Sequence, residues 1–139
     1  MVGSSLEGVI RVTGYKDNIE KVTLENEDFR RVLFTGDHSQ LVVMAIGPGE
    51  EIGQEVHHNV DQFFRFEAGE GKVIIEGEEM IVGDGEAVVV PAGAEHNIIN
   101  TSLTEKLKLY TIYSPPNHPD GTVHKTKIEA DRYEEEHHH

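Results

Sequence analysis

Turn signals recur at short intervals through the middle of this chain, and the segments between them are short and rich in Val, Ile and Phe. The breaks read Thr35-Gly36-Asp37, Gly47-Pro48-Gly49, Ala68-Gly69-Glu70-Gly71, Glu76-Gly77-Glu78, Gly83-Asp84-Gly85 and Pro91-Ala92-Gly93. Such punctuation leaves room for strands but not for long helices. It predicts strands over residues 29–35, 40–46, 62–67, 72–76, 79–82, 87–90, 96–100 and 106–113, with a hairpin turning at Gly77. Many short strands at regular spacing imply an all-β sandwich or barrel. Helical signal is weak. It is confined to the Glu20 region and to residues 128–136, where few apolar residues offer an anchor and a frayed or disordered end is expected.

At 139 residues and with no internal repeat or low-complexity linker, the chain fits one domain. The expected division is an N-terminal arm over residues 1–28, a β-barrel over 29–113, and a C-terminal arm with an acidic, His-bearing tail over 114–139. Acidic side chains outnumber basic ones 26 to 12, for a net charge of −14. That balance argues against nucleic-acid binding and against docking on anionic membranes, both of which need clustered Lys and Arg. Cysteine is absent, which excludes a disulfide framework, a thiolate nucleophile, Cys-ligated zinc and iron–sulfur clusters. No apolar run approaches the ~20 residues of a membrane helix. A cytoplasmic location is the expectation. The terminal run His137 to His139 reads equally as a purification-tag remnant or a native tail and receives no functional weight.

Two stretches carry the chemistry. The first runs G-E-E-I-G-Q-E-V-H-H-N-V-D-Q-F-F-R-F-E-A-G from Gly49 to Gly69, the second G-E-A-V-V-V-P-A-G-A-E-H-N-I-I-N from Gly85 to Asn100. In order and spacing they resemble the paired motifs of the cupin superfamily, of the small single-domain cupin-2 type. The second motif matches at Gly85, Pro91, Gly93, His96 and Asn100. The first keeps the frame of Gly49, His57 and Gly69, with Glu55 where the family has its first His and Gln62 where it has Glu. The resemblance implies an antiparallel double-stranded β-helix, the jelly-roll barrel. Residues two apart on a strand share a face, so Glu55 and His57 point together, Gln62 lies with Phe64 and Phe66, and His96 with Ile98 and Asn100. In the resembling fold those faces line the barrel interior. Four polar groups at an apolar cavity make a small-molecule site.

Carried over position by position, the family's metal-ligand set becomes Glu55, His57, Gln62 and His96. Oxygen and imidazole donors without thiolate suit a divalent transition metal such as Fe, Mn, Ni, Co or Zn. With Gln62 standing off, two His and one carboxylate remain, the composition of the facial triad of non-haem iron. The competing reading is a cupin that kept the fold without tight metal binding, Glu55 and His57 then being a hydrogen-bonded pair. His58 competes with His57 for the inward position, but using it shifts Val56 and Glu50 onto motif positions. Asp61 and Arg65 read as surface charges, and Phe63 as an exposed aromatic. His118 and His124 lie in a polar, Pro-rich stretch that reads either as a surface arm or as a cover for the cavity mouth.

The function expected from these residues is small-molecule binding at a mononuclear metal, with metal-dependent isomerisation or dioxygenation of a small, partly apolar substrate as the reaction classes. Small cupins of this kind resemble proteins labelled mannose-6-phosphate isomerase-like, but the phosphate-binding Lys and Arg of sugar-phosphate isomerases have no counterpart here. The alternatives are a non-catalytic metal or ligand sensor and a metal-free cupin. The expected partners are a small molecule and a second copy of the chain, in a homodimer that covers sheet edges.

Overall fold

The computed structural model describes residues 13–137. The first twelve residues of the expected N-terminal arm and the last two of the His run lie outside the described residues. In chain order the elements are α1 (Ile19–Glu25), β1 (Arg30–Thr35), β2 (Gln40–Ile46), β3 (Asp61–Ala68), β4 (Glu70–Ile75), β5 (Glu78–Gly83), β6 (Ala87–Val90), β7 (His96–Asn100), β8 (Leu107–Ser114), β9 (Val123–His124) and α2 (Lys127–His137). All eight expected strands form, with ends within about two residues of those read from the turn signals.

The strands pair antiparallel in two sheets, one of six in the order β6-β3-β8-β2-β1-β9 and one of three in the order β5-β4-β7. Strand periodicity explains how they close on each other. On β8, Leu107, Leu109, Thr111 and Tyr113 are buried while the residues between them are only partly so. On β3 the buried set is Gln62, Phe64 and Phe66, and on β7 it includes His96, Ile98 and Asn100. These inner faces, with Val42, Met44, Ile46, Val73, Val82 and Val90, form one core between the sheets. Strand β2 is buried on both faces, because α1 packs over its outer side and over β8 and β3.

The segment before β3 extends the smaller sheet without becoming a regular strand. Ile52 donates its N–H to Ile98 O at 2.9 Å, and Glu55 and His96 exchange both backbone hydrogen bonds at 2.8 and 2.9 Å. Glu55 therefore reaches its place through a single bridge to β7. Glycine is required at turns on both ends of the barrel. Gly69 has φ +98°, and a Cβ there would stand 2.6 Å from Lys106 O, so no side chain fits. Gly93 has φ +87°, and its N–H donates to His57 O at 2.9 Å, which ties the loop before β7 to the segment carrying His57.

The C-terminal stretch is ordered and helical where a frayed end was expected. Helix α2 starts on a local cap: Glu129 N donates to Thr126 Oγ1 at 3.1 Å and Lys125 N to Glu129 Oε1 at 2.6 Å. Ala130 is buried in the core cluster, and the Tyr133 ring lies 5.2 Å from the His124 ring. The segment ahead of it adds β9 to the edge of β1, pairing Arg30 with His124.

Candidate metal centre

Glu55, His57 and His96 converge at one end of the barrel, and one ligand atom from each lies within 4.8 Å of the others. His57 Nε2 is 3.3 Å from Glu55 Oε1, and His96 Nε2 is 4.0 Å from the same oxygen. The two imidazole rings stand 5.4 Å apart between centroids. Both Nε2 atoms are buried; that of His96 has no hydrogen-bond partner, and that of His57 has only the Glu55 carboxylate beside it. His96 Nδ1 lies 3.0 Å from Ala94 O. A backbone carbonyl can only accept, so that contact assigns the proton to Nδ1 and leaves a lone pair on Nε2, as in metal-ligating histidines. An orphaned buried lone pair has a cost, and a cation at the centre of the three groups would remove it.

His58 is exposed and turned away, so His57 is the inward histidine of the pair. Gln62 is 2% exposed on β3. Its Nε2 donates to Thr111 Oγ1 at 3.0 Å and its Oε1 is buried with no partner, a spare acceptor inside the barrel. Asp61 accepts from Ala92 N at 2.8 Å, which joins the start of β3 to the turn before β7. Arg65 lies 3.6 Å from the buried carboxylate of Glu67 rather than pointing freely into solvent. Phe63 is only partly exposed, beside the Tyr110 ring at 6.2 Å.

Glu55 sits in opposing fields. Burial pushes its carboxyl up, but His57, Arg30 and His96 together hold it below the usual carboxylate range. The group is therefore ionised at neutral pH and available to a cation. Asn97 positions it at one remove: its Oδ1 accepts from Gly53 N at 2.9 Å and its Nδ2 donates to Glu51 Oε1 at 2.7 Å. Asn100, the last residue of the second motif, is a clasp rather than a ligand. Its Nδ2 reaches Ile46 O, Gly47 O and Glu105 O at 2.9 to 3.0 Å, which binds the far ends of β2 and β7.

The C-terminal arm covers the site. Gln40, buried at the start of β2, donates to His118 O at 2.7 Å and accepts from Asn117 N and His118 N at 3.0 Å each. This holds the His118 ring edge-on to Tyr113, with Nε2 3.1 Å from the phenol oxygen. Burial lowers His118 to about 3, helped by Arg30, and burial raises Tyr113 to about 12. Both are neutral at pH 7. A cleft of about 460 Å³ opens to the site, lined by Glu55, Val56, His57, Asn117, His118 and Glu134. A second cleft of about 520 Å³ lies between the 119–124 segment and α2, and among the described residues it gathers no comparable ligand group.

Arg30, Gln40, Tyr113 and His118 bear on the site without belonging to either motif, and Asn97 lies within the second motif at a position the pattern leaves open. The available signals were a charged or polar residue at an inward register in an apolar strand, as for Arg30 ahead of Val32 and Gln40 ahead of Val42. His118 carried no signal beyond being one of two histidines in the arm.

An antiparallel β-helical barrel with an oxygen-and-imidazole cluster at one end defines the class of fold. Residues 42–113 match the cupin domain family, and the chain belongs to it. It is 51% identical over 119 residues to the uncharacterized protein YrkC of Bacillus subtilis, a match covering 81% of this chain and 63% of that protein. It is 42% identical over 113 residues to the uncharacterized protein L612 of Acanthamoeba polyphaga mimivirus, covering 78% of this chain and 70% of that one. The crystal structure of BH2720 from Bacillus halodurans superposes with a TM-score of 0.84 at 45% identity, over 86% of this chain and 95% of that chain. No helix among the described residues is long and apolar enough to cross a membrane.

Proposed function

We propose that this cupin binds one divalent transition metal through Glu55, His57 and His96, with Gln62 Oε1 as a weak fourth donor, and acts on a small molecule admitted beneath His118. The observation that carries this reading is the convergence of two buried imidazole Nε2 atoms, with no protein partner other than Glu55, on that ionised carboxylate. Two imidazoles, a carboxylate and no thiolate suit Mn, Fe, Co, Ni or Zn. A bound metal would supply Lewis acidity toward a substrate oxygen. The reaction classes that fit are isomerisation and oxygenation of a small substrate.

The chain's own residues prepare the rest. Ala94 O fixes the His96 tautomer, and Asn97 holds the segment that presents Glu55. Tyr113 and His118 both remain uncharged at neutral pH, so they orient a ligand by hydrogen bonding rather than by charge. The arm over the mouth limits water. Elemental analysis of protein purified without chelator, followed by calorimetric titration of chelator-treated protein with Mn²⁺, Fe²⁺, Ni²⁺, Co²⁺ and Zn²⁺, tests the metal. One equivalent per chain is expected, and no binding of any of the five overturns the reading. Screening for turnover with and without oxygen then separates an enzyme from a ligand sensor.

A further inference from the structure

We propose that the ligand of this barrel is a small monocarboxylate, with Arg30 as its counter-ion. The inference rests on the metal reading above and names the substrate class for the same site.

Arg30 opens β1 on the inner register, buried like Val32 while Arg31 between them is exposed. It is 4% exposed, yet it forms no ion pair among the described residues. Its Nε is buried without a hydrogen-bond partner. Its close contacts are the Phe29 ring, 5.3 Å from its Cζ, and the Tyr113 hydroxyl, and both are uncharged. A desolvated guanidinium in that state is unfavourable, and such charges persist where something pairs with them. Arg30 is within electrostatic reach of Glu55, Tyr113, His118 and His124. Of these only Glu55 is anionic, and its oxygen lies against His57 and His96 rather than against the guanidinium. Once Glu55 serves a divalent cation, Arg30 and the cation leave the interior with two uncompensated positive charges. An anion from solution completes the balance.

The anion's class follows from what surrounds it. A guanidinium fork matches the two oxygens of one carboxylate. Phosphate sites gather several cations or a row of backbone N–H groups, whereas Arg30 is the one buried Lys or Arg among the described residues, and the cleft at the mouth carries Glu134 at its edge. A dianion would meet that carboxylate, while a monoanion matches the single buried guanidinium. The neutral Tyr113 hydroxyl and His118 complete a polar wall beside it.

The experiment titrates metal-loaded protein calorimetrically with acetate and lactate, with methyl lactate as neutral control and inorganic phosphate as dianion. The carboxylates are expected to bind at least tenfold more tightly than either control. Arg30→Met should weaken the carboxylates at least tenfold, while metal affinity, titrated separately, is retained or rises as a repelling charge is lost. Should Arg30→Met fail to fold by circular dichroism, Arg30→Lys keeps the charge without the fork and should still weaken lactate several-fold. Unchanged carboxylate affinity in the folded variants, or equal binding of phosphate or methyl lactate, overturns the proposal. If the wild-type protein takes up no metal, the metal reading alone has failed. Titrating the metal-free protein then decides the Arg30 site, with weaker but Arg30-dependent lactate binding expected and Arg30-independent or absent binding overturning it.

Discussion

His118 Nε2 lies 3.1 Å from the Tyr113 hydroxyl because Gln40, 78 residues before His118 in the chain, binds the arm backbone on both sides of its amide. One buried side chain thereby fastens the C-terminal arm over the barrel mouth. The arm's position is set by hydrogen bonds rather than by apolar area, since its segment from Pro115 to Gly121 is largely exposed.

Gln40→Ala should therefore loosen the arm without unfolding the barrel. It removes the contacts to Thr35 Oγ1, His118 O, Asn117 N and His118 N. At about 1 kcal/mol net for each hydrogen bond lost, the expected cost is roughly 2–4 kcal/mol. Limited proteolysis should show cleavage between residues 114 and 122 in the variant and not in the wild type. Equal protection of that segment in both proteins would contradict the clasp.

Acid should weaken the protein earlier than carboxylates alone would dictate. Burial and the Arg30 charge hold His118 at about 3, below the ~6.5 of an unfolded histidine. The unfolded chain thus binds the extra proton first. Stability is full above pH ~6.5 and falls as pH drops toward about 3, by at most ~1.4 kcal/mol per unit for this group. His124, also lowered by burial, acts in the same direction, and Glu55, held low, adds its loss only in the carboxylate range. His118→Gln should accordingly flatten, without abolishing, the fall in melting temperature between pH 6.5 and 4.5 in chelator-treated protein. An unaltered slope would show that His118 is not buried neutral.

The fold was legible because its determinants are local. Motif glycines such as Gly69 occupy positions where a Cβ has no room, and alternating strands such as β8 show period-two burial directly. His96 was legible from its motif. Glu55 and His57 were legible from their spacing, although they sit on a segment joined to β7 by single bridges rather than on a regular strand. Arg30, Gln40 and His118 were not legible, since their roles arise only when β1, β2 and the arm meet at one end of the barrel. Helix α2 had a local signal in Thr126 and Glu129, but so few apolar residues that nothing in the sequence forecast its seat on Ala130 and Tyr133.

Gly69→Ala should be among the most damaging single-methyl changes in the chain. It places a Cβ 2.6 Å from Lys106 O at φ +98°, so both the backbone and the β8 entry must shift. Strain of this kind costs on the order of 1–3 kcal/mol before the clash is counted. Gly77→Ala, at φ +81° but with nothing within 4 Å, should carry only the conformational part of that cost. Chemical denaturation of the two variants separates strain from steric overlap, and equal losses would refute the close approach at Gly69.

Substitutions around the cluster should rank in an order that only this geometry produces. His96→Ala and His57→Ala should each abolish stoichiometric metal uptake, since each removes one of two buried Nε2 donors. His58→Ala should leave it unchanged, because that ring is exposed. Asn97→Ala releases Gly53 N and Glu51 and should weaken uptake about 10–100-fold, the usual cost of losing an outer support, while leaving every donor in place. Gln62→Ala should have a small effect, as the amide is already engaged by Thr111. Gln62→Glu should tighten binding by adding a negative charge, with Thr111 turning its hydroxyl to donate. Calorimetric titration of the six variants with one metal gives the ranking. Loss of metal in His58→Ala with retention in His57→Ala would move the site by one residue and remove Glu55 from it.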